Sequence, residues 1–94
     1  MIDWKKDEYN AAARRLLWKF QQIAKALGKD HPITKMMGSR AWGRHNYEQG
    51  PEGNLRTAIR EYASLLGAFD VMNKWVHDND YDAQKIMRKI WDEP

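Results

Sequence analysis

The feature that most constrains the fold is the spacing of apolar residues between Tyr9 and Leu27. Large apolar side chains recur there every three or four residues, the spacing that places them on one side of an α-helix. This stripe comprises Tyr9, Leu16, Phe20, Ile23 and Leu27, and it is widened by Ala13, Leu17 and Ala24. Gly28 follows as a usual helix terminator. The sequence therefore predicts a long amphipathic helix that ends at Leu27 and supplies one wall of a core.

One large aromatic residue of this stretch lies off the stripe. At 100° per residue, Trp18 falls on the opposite side of the helix, and its neighbours there are Arg14, Arg15, Gln22 and Lys25. An indole on the polar side of a helix is expected to face water unless a partner covers it. We therefore predict a binding face around Trp18. The alternative is that another helix or a second subunit covers this ring.

The rest of the chain predicts further helices. Pro32 suits the first residue of a short second helical segment, and three glycines and one proline mark a loop over residues 43–53. Apolar residues repeat at helical spacing from Leu55 to Val76, and Asp80 is suited to cap a final helix. We predict an all-α fold with a single domain over residues 1–94. The expected architecture is a small bundle of two long antiparallel helices plus one or two shorter helices.

Charge is distributed unevenly along the chain, although the net charge is only +3. Eight Lys or Arg residues and one acidic residue lie between Tyr9 and Tyr47, whereas six basic and eight acidic residues follow from Pro51 onward. This asymmetry favours an anionic partner for the basic half. The alternative is that these charges are an ordinary solvated helix surface.

Composition also restricts the class of protein. The chain has no Cys, which excludes disulfides, thiolate zinc sites and a Cys nucleophile, and which fits a cytoplasmic location. No apolar run approaches the roughly 20 residues that a membrane span needs, so we expect no membrane partner. The first residues also lack the apolar stretch of a secretory signal.

A basic segment with two glycines follows the second predicted helix. Between Gly38 and Gly43 and just beyond lie the candidate binding residues Arg40, Trp42, Arg44 and His45. The glycine spacing is similar to that of a phosphate loop, but the Lys and the Ser or Thr that such a loop needs are missing. We predict an anion-binding segment that extends the surface around Trp18. The alternative is a solvated connection with Trp42 buried in the core.

No motif in the chain predicts catalysis. Asp78, Asp80 and Asp82 have the spacing that starts a calcium loop, but Ala83 and Lys89 occupy the positions that require Gly and Glu. The three histidines are not at metal-ligand spacing, and no nucleophile and base can be paired from the sequence. We therefore predict a protein that is not an enzyme, with no metal and no cofactor.

Three functions remain open at this stage. The first is binding of an anionic partner (nucleic acid, nucleotide or a nucleoprotein complex) through the basic face that carries Trp18. The second is an adaptor or inhibitor that docks on a protein with an acidic groove. The third is self-association through a weaker stripe on the third helix, which includes Thr57, Ala68 and Trp75.

Overall fold

A computed structural model describes residues 4–41 and 55–94 of the chain. These residues form four α-helices and a short 3₁₀ segment, Gly38–Ala41, which follows the second helix. The helices are α1 (Trp4–Leu27), α2 (Pro32–Met37), α3 (Leu55–Asn79) and α4 (Tyr81–Asp92). The described residues include no strand, and the four helices pack against one another. The predicted all-α class is confirmed.

The junction between α1 and α2 is a tight turn at Gly28. This residue has a φ of +94°, a conformation that glycine adopts without the steric cost that a side chain adds. Its N–H donates to the carbonyl of Ala24 at 2.8 Å, and its own carbonyl accepts from the hydroxyl of buried Thr34 at 2.7 Å. As predicted, α1 ends before Gly28 and α2 begins at Pro32.

The core lies between α1 and α3 and is completed from two sides. Its largest fully buried side chains come from every helix, and they are Phe20, Ile23, Ile33, Met37, Leu65, Met72, Val76 and Met87. Both α2 and α4 pack against α1 and against α3, and their N-caps meet, since Nε2 of His31 lies 3.0 Å from the Asp80 carboxylate. They pack on different sides of α3: Ser64 and Trp75 contact the segment from His31 to Arg40, whereas Phe69 and Asn73, on another side of the helix, contact α4.

The prediction that the two long helices are antiparallel is wrong, because α1 and α3 run in the same direction. Near their N-termini the rings of Tyr9 and Tyr62 lie 5.8 Å apart. At the other end, His31, which follows α1, lies 6.5 Å from the ring of Trp75 near the end of α3. The physical reason is the return path: α2 and the 3₁₀ segment run back along the pair, so that Arg40 reaches Ser64. The chain then begins α3 beside the start of α1.

The last turn of α4 is anchored against both long helices. The indole of Trp91 stacks on Phe69, with ring centroids 3.8 Å apart and planes 5° from parallel. The same indole lies 5.8 Å from the ring of Phe20. On α1, the Nζ of Lys19 donates to the carbonyl of Trp91 at 2.6 Å and to that of Glu93. These contacts mark where α4 ends along the α1–α3 pair.

Candidate functional site

Trp18 lies on the solvent side of α1. Its side chain is 58 % exposed, whereas its neighbours Leu17 and Phe20 are 6 % and 0 % exposed. The fully buried residues of α1, Ala13, Phe20, Ile23 and Ala24, lie on the other side of the helix. An indole offers a large apolar ring and one N–H donor, so an exposed tryptophan is suited to stack against a ligand or to anchor a protein interface.

Four polar residues surround this ring on α1. Arg14 and Arg15 lie one turn before Trp18 and are exposed, Gln22 lies one turn after it and is half-buried, and Lys25 lies two turns after it and is exposed. We call these four residues and Trp18 the Trp18 face. The sequence contains no acidic residue from Tyr9 to Lys29. The Trp18 face is therefore positively charged over the length of α1 from Arg14 to Lys25, about 17 Å.

A shallow groove borders the Trp18 face on the side of α4. One wall of the groove is formed by α1, with Trp18, Gln22, Lys25 and Ala26. The other wall is formed by Ile90 of α4 and by Glu93, which follows α4. The groove is open to solvent and holds about 340 Å³. Its lining combines an indole and two aliphatic side chains with one basic and one acidic group. Such a groove can hold a flat ring or an extended segment, but it does not enclose a small molecule.

Lys19, the basic residue next to Trp18 in sequence, contacts the end of α4 and is not part of the Trp18 face. Its ammonium group donates to the carbonyl of Trp91, in the last turn of α4, and to that of Glu93, which follows the helix. A cation at a helix C-terminus interacts favourably with the helix dipole and with carbonyls that have no partner within the helix. This basic residue therefore stabilises the packing of α4 and is not available to neutralise a ligand.

The side chain of Arg40 is bound to α3, and its grouping with the Trp18 face stays a prediction. Arg40 lies on the 3₁₀ segment, and its Nη2 donates to the hydroxyl of Ser64 on α3 at 3.0 Å. The 3₁₀ segment and α4 make no contact, and the groove beside Trp18 is on the α4 side. The other predicted residues of that segment, Trp42, Arg44 and His45, lie outside the described residues.

The stripe predicted for self-association is partly covered by the chain itself. Ala68 and Trp75 are half-buried and pack against the core, and the ring of Trp75 meets that of His31 edge-on. Thr57 is exposed. Ala68 and Trp75 are thus already packed within one chain. A dimer through this stripe stays a prediction.

The sequence did not predict the contact between the side chains of His31 and Asp80. The Nδ1 of His31 accepts from the N–H of Ile33 and caps α2, while its Nε2 lies 3.0 Å from the Asp80 carboxylate. Asp80 in turn caps α4 through the N–H of Ala83, as the sequence predicted. Histidine is not among the residues preferred at this position, so only its place directly before Pro32 could have drawn attention to it.

No group of three or more His, Asp or Glu side chains in residues 4–41 and 55–94 could hold a metal ion. Within the same ranges, no helix has the length and apolar character needed to cross a membrane.

Comparison with known proteins gives no match: no family model, no curated protein and no solved structure is similar to this chain. Any function must therefore be inferred from the residues and their geometry.

Proposed function

We propose that this chain is a non-enzymatic binding protein that engages an anionic partner, single-stranded nucleic acid, through the Trp18 face. The observation that carries the proposal is the exposure of Trp18, 58 %, on a helix whose surface from Tyr9 to Lys29 bears no acidic residue. An aromatic ring stacks on an unpaired base, and nearby Arg and Lys side chains neutralise phosphates. The Trp18 face combines both groups on one rigid helix.

The open groove favours a strand over a free nucleotide. A nucleotide site normally encloses most of its ligand, whereas the groove beside Trp18 is shallow and has only two residues of α4 on its far wall. A strand binds by repeated weak contacts along a surface, and each stacked base contributes about 1–3 kcal/mol. Arg15 and Lys25 lie on the two sides of Trp18 along α1 and can contact phosphates that flank a stacked base.

A second candidate function is docking on a protein with an acidic groove, as an adaptor or an inhibitor. The observation in its favour is the aliphatic part of the groove, where Ala26 and Ile90 lie beside Trp18. Aromatic and basic residues together dominate many protein interfaces. Glu93 at the same groove is less suited to a phosphate than to a polar protein contact.

Fluorescence anisotropy with labelled single-stranded oligonucleotides tests the proposal. We expect binding at low salt that weakens as salt rises, with a log–log slope of about 0.7 per phosphate neutralised. The double variant Arg15→Ala/Lys25→Ala should lose at least about tenfold in affinity and reduce the slope by about 1.4. The matched control Arg56→Ala/Arg60→Ala removes the same charge from exposed positions on α3 and should change both values less.

Two results would contradict nucleic-acid binding at this face. One is the absence of binding at low salt by a chain whose helical circular dichroism is intact. The other is an equal loss in the two double variants, because net charge alone would then explain the affinity. Binding of a labelled polyglutamate peptide with the same dependence on Arg15 and Lys25, and no binding of oligonucleotides, would favour the protein partner.

A further inference from the structure

One acidic side chain lies at the groove beside the otherwise basic Trp18 face. Glu93 lines this groove across from Trp18 and Lys25, and it is exposed. Among residues 4–41 and 55–94, no hydrogen bond or ion pair holds its carboxylate. A carboxylate repels the phosphates that the Trp18 face attracts. A strand in this groove therefore has to present to Glu93 a part other than its backbone.

The backbone of Glu93 is held in place by the fold. Its N–H donates to the carbonyl of Ile90 at 3.3 Å, and its own carbonyl accepts from the Nζ of Lys19. Lys19 directly follows Trp18 on α1, so this second bond ties Glu93 to the part of α1 that carries the exposed indole. Only the side-chain torsions of Glu93 are left for a ligand to order, which keeps the entropic cost of binding small.

The free carboxylate is complementary to one base in particular. An ionised carboxylate only accepts hydrogen bonds, and its two oxygens can accept from two parallel N–H groups. On its Watson–Crick edge guanine presents two adjacent donors, N1–H and the N2 amino group. Adenine and cytosine place one amino group beside an unprotonated ring nitrogen, and thymine and uracil place one N–H between two carbonyls. Two-point recognition by a carboxylate therefore favours guanine.

The other polar and aromatic groups of the groove suit the remaining parts of a guanine nucleotide. The indole of Trp18 offers a face on which the purine can stack. Gln22, half-buried on the same wall, has an amide N–H that can donate to O6 of guanine. Lys25 is exposed and can neutralise a phosphate next to the stacked base. The groove thus combines a stacking surface, a donor, an acceptor pair and a cation.

From the unbound carboxylate and the exposed indole in one groove, we propose that the groove beside Trp18 selects guanine within a single strand. The Glu93 carboxylate accepts from N1–H and from the N2 amino group while the base stacks on Trp18. This inference rests on the proposed function, since it requires a strand on the Trp18 face. It adds the identity of the preferred base and makes Glu93 the residue that determines specificity.

Labelled strands of about ten nucleotides test base selection on the full chain by fluorescence anisotropy at low salt. Every position is abasic except one central position, which carries guanine, hypoxanthine or adenine, so that only this base can enter the groove. Hypoxanthine differs from guanine only in lacking the N2 amino group. We expect the guanine strand to bind at least about tenfold more tightly than the hypoxanthine strand, because guanine alone supplies both donors.

The variant Glu93→Gln tests the residue itself. It keeps the size of the side chain but has one acceptor oxygen and no charge. We expect the preference for guanine over hypoxanthine to fall to within about twofold, without a loss of affinity for the hypoxanthine strand, because a negative charge is removed. The matched control is Asp92→Asn, which removes a charge from an exposed neighbour that pairs with Arg88 and does not line the groove. It should keep the full preference.

The outcomes separate this inference from the proposed function. No binding of any strand would contradict both. Binding of all strands with equal affinity for guanine and hypoxanthine would overturn guanine selection and leave the proposed function standing. A preference that survives in Glu93→Gln, or that is lost equally in Asp92→Asn, would also overturn the role of Glu93. Free guanosine monophosphate that competes as well as the guanine strand would assign the groove to a free nucleotide and overturn selection within a strand.

Discussion

At the scale of single residues, one imidazole joins the start of α2 to the start of α4. The Nδ1 of His31 accepts from the N–H of Ile33 at 3.1 Å, so the hydrogen bonds assign the ring proton to Nε2, which donates to Asp80. Asp80 accepts from Ala83 with its other oxygen at 3.1 Å. Two helix caps are therefore coupled through two side chains that are 49 residues apart in sequence.

This joint makes part of the folding stability depend on pH. The hydrogen bond from His31, and then that from the N–H of Ala83, lowers the pKa of Asp80 from its ordinary value of 3.8. A carboxyl with a lowered pKa stabilises the fold above the unfolded-state value, and this stabilisation is lost as pH falls through the folded-state value. Asp80→Asn keeps a capping oxygen but cannot ionise. We expect its urea midpoint to fall less than that of the parent chain between about pH 5 and about pH 2.

The control for this pH dependence is Asp70→Asn, because Asp70 is exposed in the middle of α3 and makes no helix cap. Its urea midpoint should follow that of the parent chain over the same range. An Asp80→Asn chain that loses stability with falling pH as steeply as the parent chain would show that the Asp80 carboxylate does not contribute.

At the scale of helices, α4 is held by Met87, which is fully buried, and at its last turn by Trp91. The stacked pair with Phe69 and the contact with Phe20 tie the last turn of α4 to both long helices. Lys19 adds hydrogen bonds to the terminal carbonyls. Near its start, α4 buries Ala83, and Gln84 contacts Asn73. The wall that α4 contributes to the groove beside Trp18 thus follows from the packing of Met87 and Trp91.

Replacing Trp91 therefore tests how α4 is held. Trp91→Ala removes the stack on Phe69 and leaves a cavity, and we expect the free energy of unfolding to fall by about 3 kcal/mol. Trp18→Ala is the matched control, because it removes an exposed indole and should change the same quantity by less than about 0.5 kcal/mol. Urea unfolding followed by circular dichroism measures both. Equal effects in the two variants would contradict the difference between the half-buried, stacked ring of Trp91 and the exposed ring of Trp18.

The sequence predicted helix boundaries better than helix arrangement. Helix ends depend on local properties of the chain. Gly28 ends α1, Pro32 begins α2 and Asp80 caps α4, each at the position that its own conformational or capping preference predicts. The direction of α3 relative to α1 is not local. It depends on the path of the segment that connects α1 to α3. Composition and apolar periodicity do not predict that path.

At the scale of the whole molecule, the candidate surfaces depend on how α2, the 3₁₀ segment and α4 pack against the parallel helices α1 and α3. α2 and the 3₁₀ segment occupy one side of the pair, where Arg40 donates to Ser64 of α3. α4 occupies the other side, and its residue Ile90 and the following Glu93 line the groove, although nothing in their sequence pattern placed them beside Trp18. Helical spacing on α1 alone was enough to group Trp18 with Gln22 and Lys25. Contacts between helices required the structure.

The proposed function is tested most directly by the affinity of Trp18→Ala for a labelled single-stranded oligonucleotide at low salt. The control is Tyr81→Ala, which removes a ring that is 61 % exposed on α4, away from the Trp18 face. We expect the Trp18 variant to lose about tenfold in affinity, as the loss of one stacked base predicts, and the Tyr81 variant to stay within about twofold of the parent chain. A Trp18→Ala chain that binds as tightly as the parent would contradict the proposed role of this face.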